Sequence, residues 1–111
     1  MIEVTQQVLD EMARAIADAV DPERIVLFGS HARGHALPDS DVDLLVVERD
    51  PFGAGRSRRK EAARIRRALT RFLHPIDILV YTTEEVEEWK DSINHVIGRS
   101  AREGKLLYER S

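Results

Sequence analysis

A chain of 111 residues with 42% hydrophobic and 33% charged content is the size of one small globular domain, residues 1–111, so any second, substrate-holding domain is expected from another chain. The absence of cysteine excludes a disulfide framework and thiolate metal sites, as a reducing cytoplasm would allow. The net charge is −3, no window reaches a membrane-spanning length, and Glu3, Gln6, Gln7 and Asp10 stand where a leader would be basic and then apolar, so a cytoplasmic location away from membranes is expected.

Val4, Val8, Leu9, Met12, Ile16 and Val20 recur at helical spacing, which predicts an amphipathic helix over 4–20 ended by Asp21-Pro22. "RIVLFGS" is a short branched apolar run ending in glycine and predicts a buried first strand. A second strand is expected from Asp41 to Val47, followed by a "PFGAG" loop and a helix over 56–73 with Ala62, Ile65, Ala68, Leu69 and Phe72 on its inner face. His74-Pro75 ends that helix, and "IDILVY" from Ile76 to Tyr81 predicts a third strand. Thr82 and Glu85 have the spacing of a capping box for a short helix near Trp89. A last helix through Ile93, Val96 and Ile97 stops at Gly104, and "KLLYE" forms a short final strand.

Two charge runs oppose each other. Arg56, Arg58, Arg59, Lys60, Arg64, Arg66, Arg67 and Arg71 face only Glu61, whereas Glu84, Glu85, Glu87, Glu88 and Asp91 form an acidic run. Each run is read first as the solvated face of a helix. An acidic partner or a phosphate backbone is the sharper reading of the arginines, and composition does not choose between them.

About 28 residues containing a helix separate the second and third strands, which suits a parallel crossover, whereas only ten separate Ser30 from Asp41, which suits antiparallel neighbours. The exit of the first strand and the entries of the other two then share one sheet edge. Gly29-Ser30, Asp41, Asp43 and Asp77 occupy those places.

Residues i and i+2 of a strand share a face, so Asp41 and Asp43 project together and repel each other unless a cation neutralises them. With Asp77 they make a patch of hard oxygen donors suited to Mg²⁺ and the phosphates it bridges. A glycine after a strand lets the backbone approach a ligand, and a following helical turn aims free N–H groups at it. Gly29 and Ser30 are therefore candidate phosphate-binding residues, with Arg33 and Arg49 as sources of positive charge.

"GS", ten residues and "DVD", with a later strand aspartate, resemble the nucleotidyltransferase superfamily that includes DNA polymerase beta. The run "GSHARGHALPDSDVDLLV" resembles in particular the minimal nucleotidyltransferases encoded beside HEPN-domain toxins, and the likeness extends from Ile25 to "REGKLLYER". The resemblance implies a mixed α/β fold with helices packed on a small mixed sheet, three core strands and a short fourth. It implies that Gly29 and Ser30 hold the triphosphate of ATP, that Asp41 and Asp43 bind metal, and that Asp77 completes a site for two Mg²⁺ ions and helps activate the attacking hydroxyl. The implied activity is transfer of AMP to a tyrosine of a HEPN toxin from the adjacent gene, which makes the protein its antitoxin. A catalytically silent toxin-binding module and a small-molecule nucleotidyltransferase of the aminoglycoside-modifying kind are the rival readings.

Other residues have plainer expectations. His31 and His35 are four apart, but Gly34 and the lack of a third ligand argue against zinc. His74 and His95 are read as surface or packing residues, and Trp89 as packed on the sheet or as an interface anchor. Tyr81 and Tyr108 are read as core or edge packing.

Overall fold

The computed structural model describes residues 2–92 and 95–111. Helix α1 (Gln6–Val20) is capped by Thr5, whose side chain accepts from the Val8 amide at 3.2 Å, and it ends at Asp21 in the left-handed region, φ 48°, just before Pro22. Strand β1 (Arg24–Phe28) runs directly into the short helix α2 (Gly29–Arg33). Strand β2 (Val42–Glu48) follows, then α3 (Arg58–Ala68), β3 (Ile76–Thr82), α4 (Thr83–Trp89), α5 (Val96–Glu103) and β4 (Lys105–Glu109). Ile93, which the periodicity puts in the last helix, lies outside the described residues. None of the described helices is long and apolar enough to cross a membrane.

The four strands form one sheet in the order β3-β2-β1-β4, with β2 and β3 parallel and the other pairs antiparallel. β2 is covered on both faces beyond Asp43, and therefore its Leu44–Val47 stretch is continuously apolar rather than alternating. Val42, Leu44 and Val46 pack with Ile78 and Val80 beneath α1 and α3, against Met12, Ile16 and Ile65. Leu45 and Val47 face the other way, into Phe28, Val86 and Ile97 under α4 and α5. Alternation along the strands thus assigns Asp43 and Asp77 to the second face, at the end of the sheet where β2 and β3 begin.

Helix α3 is shorter than its periodicity suggests. Arg56 belongs to a bridge with Gly53 in the preceding loop, and Ser57 caps the helix by accepting from the Lys60 amide. At the other end the Leu69 amide is shared between the Ile65 and Arg66 carbonyls, which tightens the last turn. The capping box at α4 forms as its spacing predicts: Thr82 N donates to Glu85 Oε1 at 2.8 Å and Glu85 N donates to Thr82 Oγ1 at 3.2 Å.

The two charge runs are partly a single structural feature. Arg58 forks onto both Glu85 oxygens, donates to the Val80 carbonyl at 2.6 Å, and lies over the Phe52 and Tyr81 rings. Arg56 pairs with Glu48, and Arg64 with Glu61 and the Ala19 carbonyl. Trp89 is not buried on the sheet; it is 41% exposed and stacks on His95 at 4.8 Å.

Glu48 continues the face of Val42, Leu44 and Val46 and so points under α3, where it is 3% exposed between Arg56 and Glu61. Burial, then the hydrogen bond and charge of Glu61, push its carboxyl up to about 8 against the pull of Arg56. A carboxyl raised in this way stabilises the fold fully below its ordinary value of 4.5 and loses that contribution as pH rises through about 8. Melting temperature should therefore decline between about pH 5 and pH 9, and Glu48→Gln should flatten that decline, as a thermal series across the range will measure. An unchanged slope in the variant would assign the pH dependence elsewhere.

Candidate active site

Three chain segments meet at one end of the sheet, and the register aligns them. Phe28 pairs with Asp43 across β1 and β2, and Asp43 pairs with Asp77 across β2 and β3. Phe28, Asp43 and Asp77 therefore lie in one row across three adjacent strands, and Gly29 follows directly at the start of α2. This shared edge is the one that the connection lengths imply.

Gly29 is required there by geometry. Its φ is +74°, and a Cβ on its backbone would stand 2.1 Å from Asp43 Oδ2. The carboxylate lies on the face that only the absence of a side chain leaves open. Ser30 follows in the first turn of α2, half-buried, on the segment whose leading amides have no partner within the helix.

Asp41 sits just before β2 rather than in it, and it is exposed, as is Asp77; Asp43 is half-buried. Burial first, then the charges of Asp77 and Asp41, hold the Asp43 carboxyl above its ordinary value, while His31 and Arg33 pull it down. Asp43 thus feels both other acids, with their repulsion only partly offset. Among the described residues no three His, Asp or Glu side chains close into a ready-made metal cage. Such an open arrangement fits Mg²⁺, which keeps several waters and is commonly held by one or two carboxylates plus substrate phosphates.

Arg33 lies at this end, tied to Glu103 at 3.0 Å in a half-exposed pair. Arg49 does not. It follows the far end of β2 and pairs with Glu23 at 3.1 Å, so a strand length of roughly 20 Å separates it from the acids. His31 and His35 do not share one helical face, because α2 ends at Arg33 and Gly34 turns the chain at φ +76°. The expectation that His74 serves only packing needs amendment: it is 9% exposed, and its ring reaches the Ser40 carbonyl, as does that of His31. No spacing signals that convergence, since 43 positions separate the two histidines. A polar cavity of about 600 Å³ lies at the opposite end of β2, lined by Glu48, Arg56, Lys60 and Arg64 among others.

A family model for the nucleotidyltransferase domain matches residues 9–103. A Methanocaldococcus jannaschii protein named "Putative protein adenylyltransferase" is 30% identical over 80 residues, which cover 72% of this chain and 74% of the relative. In three dimensions the fold is similar to that of a Sulfolobus solfataricus protein described as a "putative nucleotidyltransferase", with a TM-score of 0.62 at 20% identity, covering 95% of this chain and 80% of the other. It is also similar to a chain in a toxin–antitoxin structure with AMP-PNP, with a TM-score of 0.57 at 21% identity, covering 97% and 76% of the two chains. The meeting of Gly29 with Asp43 and Asp77 at the strand ends and the match over 9–103 lead to one conclusion: this chain belongs to the nucleotidyltransferase domain family.

Proposed function

We propose that the protein transfers AMP from ATP to a tyrosine hydroxyl of a HEPN-domain toxin and so acts as the toxin's antitoxin, with Asp41, Asp43 and Asp77 as ligands for two Mg²⁺ ions. The observation that carries this reading is the register that sets Asp77 directly beside Asp43 and Asp43 against Gly29. It is supported by the relative's name, which specifies a protein as acceptor, and by the fold shared with a toxin–antitoxin chain crystallised with an ATP analogue.

Bound metal supplies positive charge for the phosphate oxygens and for the oxygens that attack and leave. The chain's own residues do the rest. Ser30 offers its hydroxyl and amide to the terminal phosphates at the start of α2, and Gly29 leaves room for them. Arg33 adds charge, because its half-exposed pair with Glu103 contributes well under ~1 kcal/mol and yields readily to a phosphate. Asp77, exposed at the start of β3, takes the proton as the acceptor oxygen bonds to the α-phosphorus. The bond from that phosphorus to the bridging oxygen breaks, and pyrophosphate leaves with the electron pair.

The test is incubation with α-labelled ATP, Mg²⁺ and the product of the adjacent gene. Label on a tyrosine of that protein, lost with Asp41→Asn, is the expected result. Tight complex formation without label, indifferent to that substitution, would make the chain a binding module instead. Label on an aminoglycoside alone would overturn the choice of acceptor.

A further inference from the structure

We propose that His31 and His74 clamp the Ser40 carbonyl and thereby position Asp41 beside Asp43 for metal and nucleotide, an inference that rests on the function proposed above. Asp41 needs such help because it precedes the first hydrogen-bonded residue of β2 and stands exposed after an exposed loop. The loop is a turn, with Ser40 N donating to the Leu37 carbonyl at 3.0 Å and Leu37 N donating to Ser40 Oγ at 2.9 Å. Both of these hydrogen bonds stay within the turn and do not reach the sheet.

The two histidines make that connection from different elements. His31, on α2, places Nε2 3.0 Å from the Ser40 oxygen, and His74, just before β3, places Nε2 2.7 Å from the same atom. A carbonyl oxygen only accepts, so both rings carry hydrogen on Nε2 and together occupy its two lone pairs. The rings themselves meet edge to face, with centroids 6.1 Å apart at 74°. Because a peptide is planar, fixing the Ser40 carbonyl fixes the plane that carries the Asp41 nitrogen and Cα. On the other side Val42 N donates to the Pro75 carbonyl at 3.0 Å. Asp41 is therefore held at both of its peptide bonds, once by the pair of imidazoles and once by Pro75, which leads into the strand that carries Asp77.

His74 forgoes a contact to do this. Its Nδ1 is buried without a hydrogen-bond partner among the described residues. The polar contact that the ring does make is the one from its other nitrogen to Ser40.

The clamp is tested by Mn²⁺ binding, read by electron paramagnetic resonance in the presence of α,β-methylene-ATP, together with steady-state transfer. His31→Ala and His74→Leu should each weaken Mn²⁺ binding about tenfold and lower kcat by ~10- to 100-fold, with KM for ATP within about twofold at saturating metal. His31→Gln and His74→Gln, which keep a donor at similar reach, should recover to within about threefold of the unsubstituted protein. Unchanged Mn²⁺ binding in His31→Ala and His74→Leu, or a loss that the glutamines do not recover, overturns the clamp. If His74→Leu does not fold, His31→Ala and the glutamine pair decide. Metal binding without any transfer refutes the function proposed above, while the same binding series still decides the clamp; absence of Mn²⁺ binding in the unsubstituted protein refutes both.

Discussion

Asp43→Asn is expected to abolish nucleotidyl transfer, lowering kcat by ~10³-fold or more, and at the same time to raise the melting temperature of the unliganded protein. The two effects have one cause. Burial and the neighbouring Asp77 and Asp41 push the Asp43 carboxyl upward, which means that the folded state resists ionising it. A carboxyl raised in the fold contributes stability below its ordinary value of 3.8 and loses it as pH climbs through the folded value, so at neutral pH the ionised group is a cost. An amide of the same shape removes that cost, and a gain of about 2–5 °C is expected at neutral pH, shrinking as the pH is lowered toward 4. Mg²⁺ with ATP should stabilise the unsubstituted protein by mass action and leave the variant unmoved. A variant that melts lower than the parent in the absence of ligand would show that Asp43 holds the fold together, not that it strains it.

Gly29→Ala is expected to damage stability and chemistry together, for two separable reasons. The left-handed φ of +74° costs a non-glycine residue roughly 1–2 kcal/mol wherever it occurs. The added methyl carbon would also stand 2.1 Å from Asp43 Oδ2, so that the carboxylate must swing away. A displacement of this size should lower kcat by about 10²-fold. Gly34 provides the control, because its φ is +76° but no atom of the described residues lies within 4 Å of its would-be Cβ. Gly34→Ala should lose a similar ~1–2 kcal/mol by chemical denaturation and keep its kcat. Equal losses of activity in both variants would mean that backbone strain, and not the crowding of Asp43, is what matters at position 29.

The placing of the candidate residues at one sheet end could be read from the sequence because strands impose strong rules. Ten residues between Ser30 and Asp41 allow β1 and β2 to be antiparallel neighbours, the helical crossover makes β3 parallel to β2, and both constraints place Asp43 between Phe28 and Asp77. Period-two alternation then assigns the two acids to one face. The capping box of Thr82 and Glu85 was legible for the same reason, since it depends on neighbours three positions apart.

What the sequence concealed depends on contacts between distant segments. Arg49 looks like a useful cation near an acidic motif, yet seven strand residues carry it to the other end of the sheet and into the grip of Glu23. The arginine run looks like one basic surface, but Arg56, Arg58 and Arg64 are spent on Glu48, Glu85 and Glu61, whereas Arg59, Arg66 and Arg67 have no ion pair among the described residues. Glu48 carries no local sign of burial, because α3 folds over it from a loop ten residues away. His74 resembles a helix terminator, and its reach to Ser40 becomes visible only when the entries of β2 and β3 are side by side.

Diffraction from crystals grown with Mn²⁺ and a non-hydrolysable ATP analogue would locate the cation directly by its anomalous signal. The account predicts a peak at roughly 2.0–2.2 Å from carboxylate oxygens of Asp41 and Asp43, with the triphosphate against Ser30. A peak beside Glu48 and Glu61 in the cavity at the opposite end of β2, with the strand-entry acids bare, would contradict it.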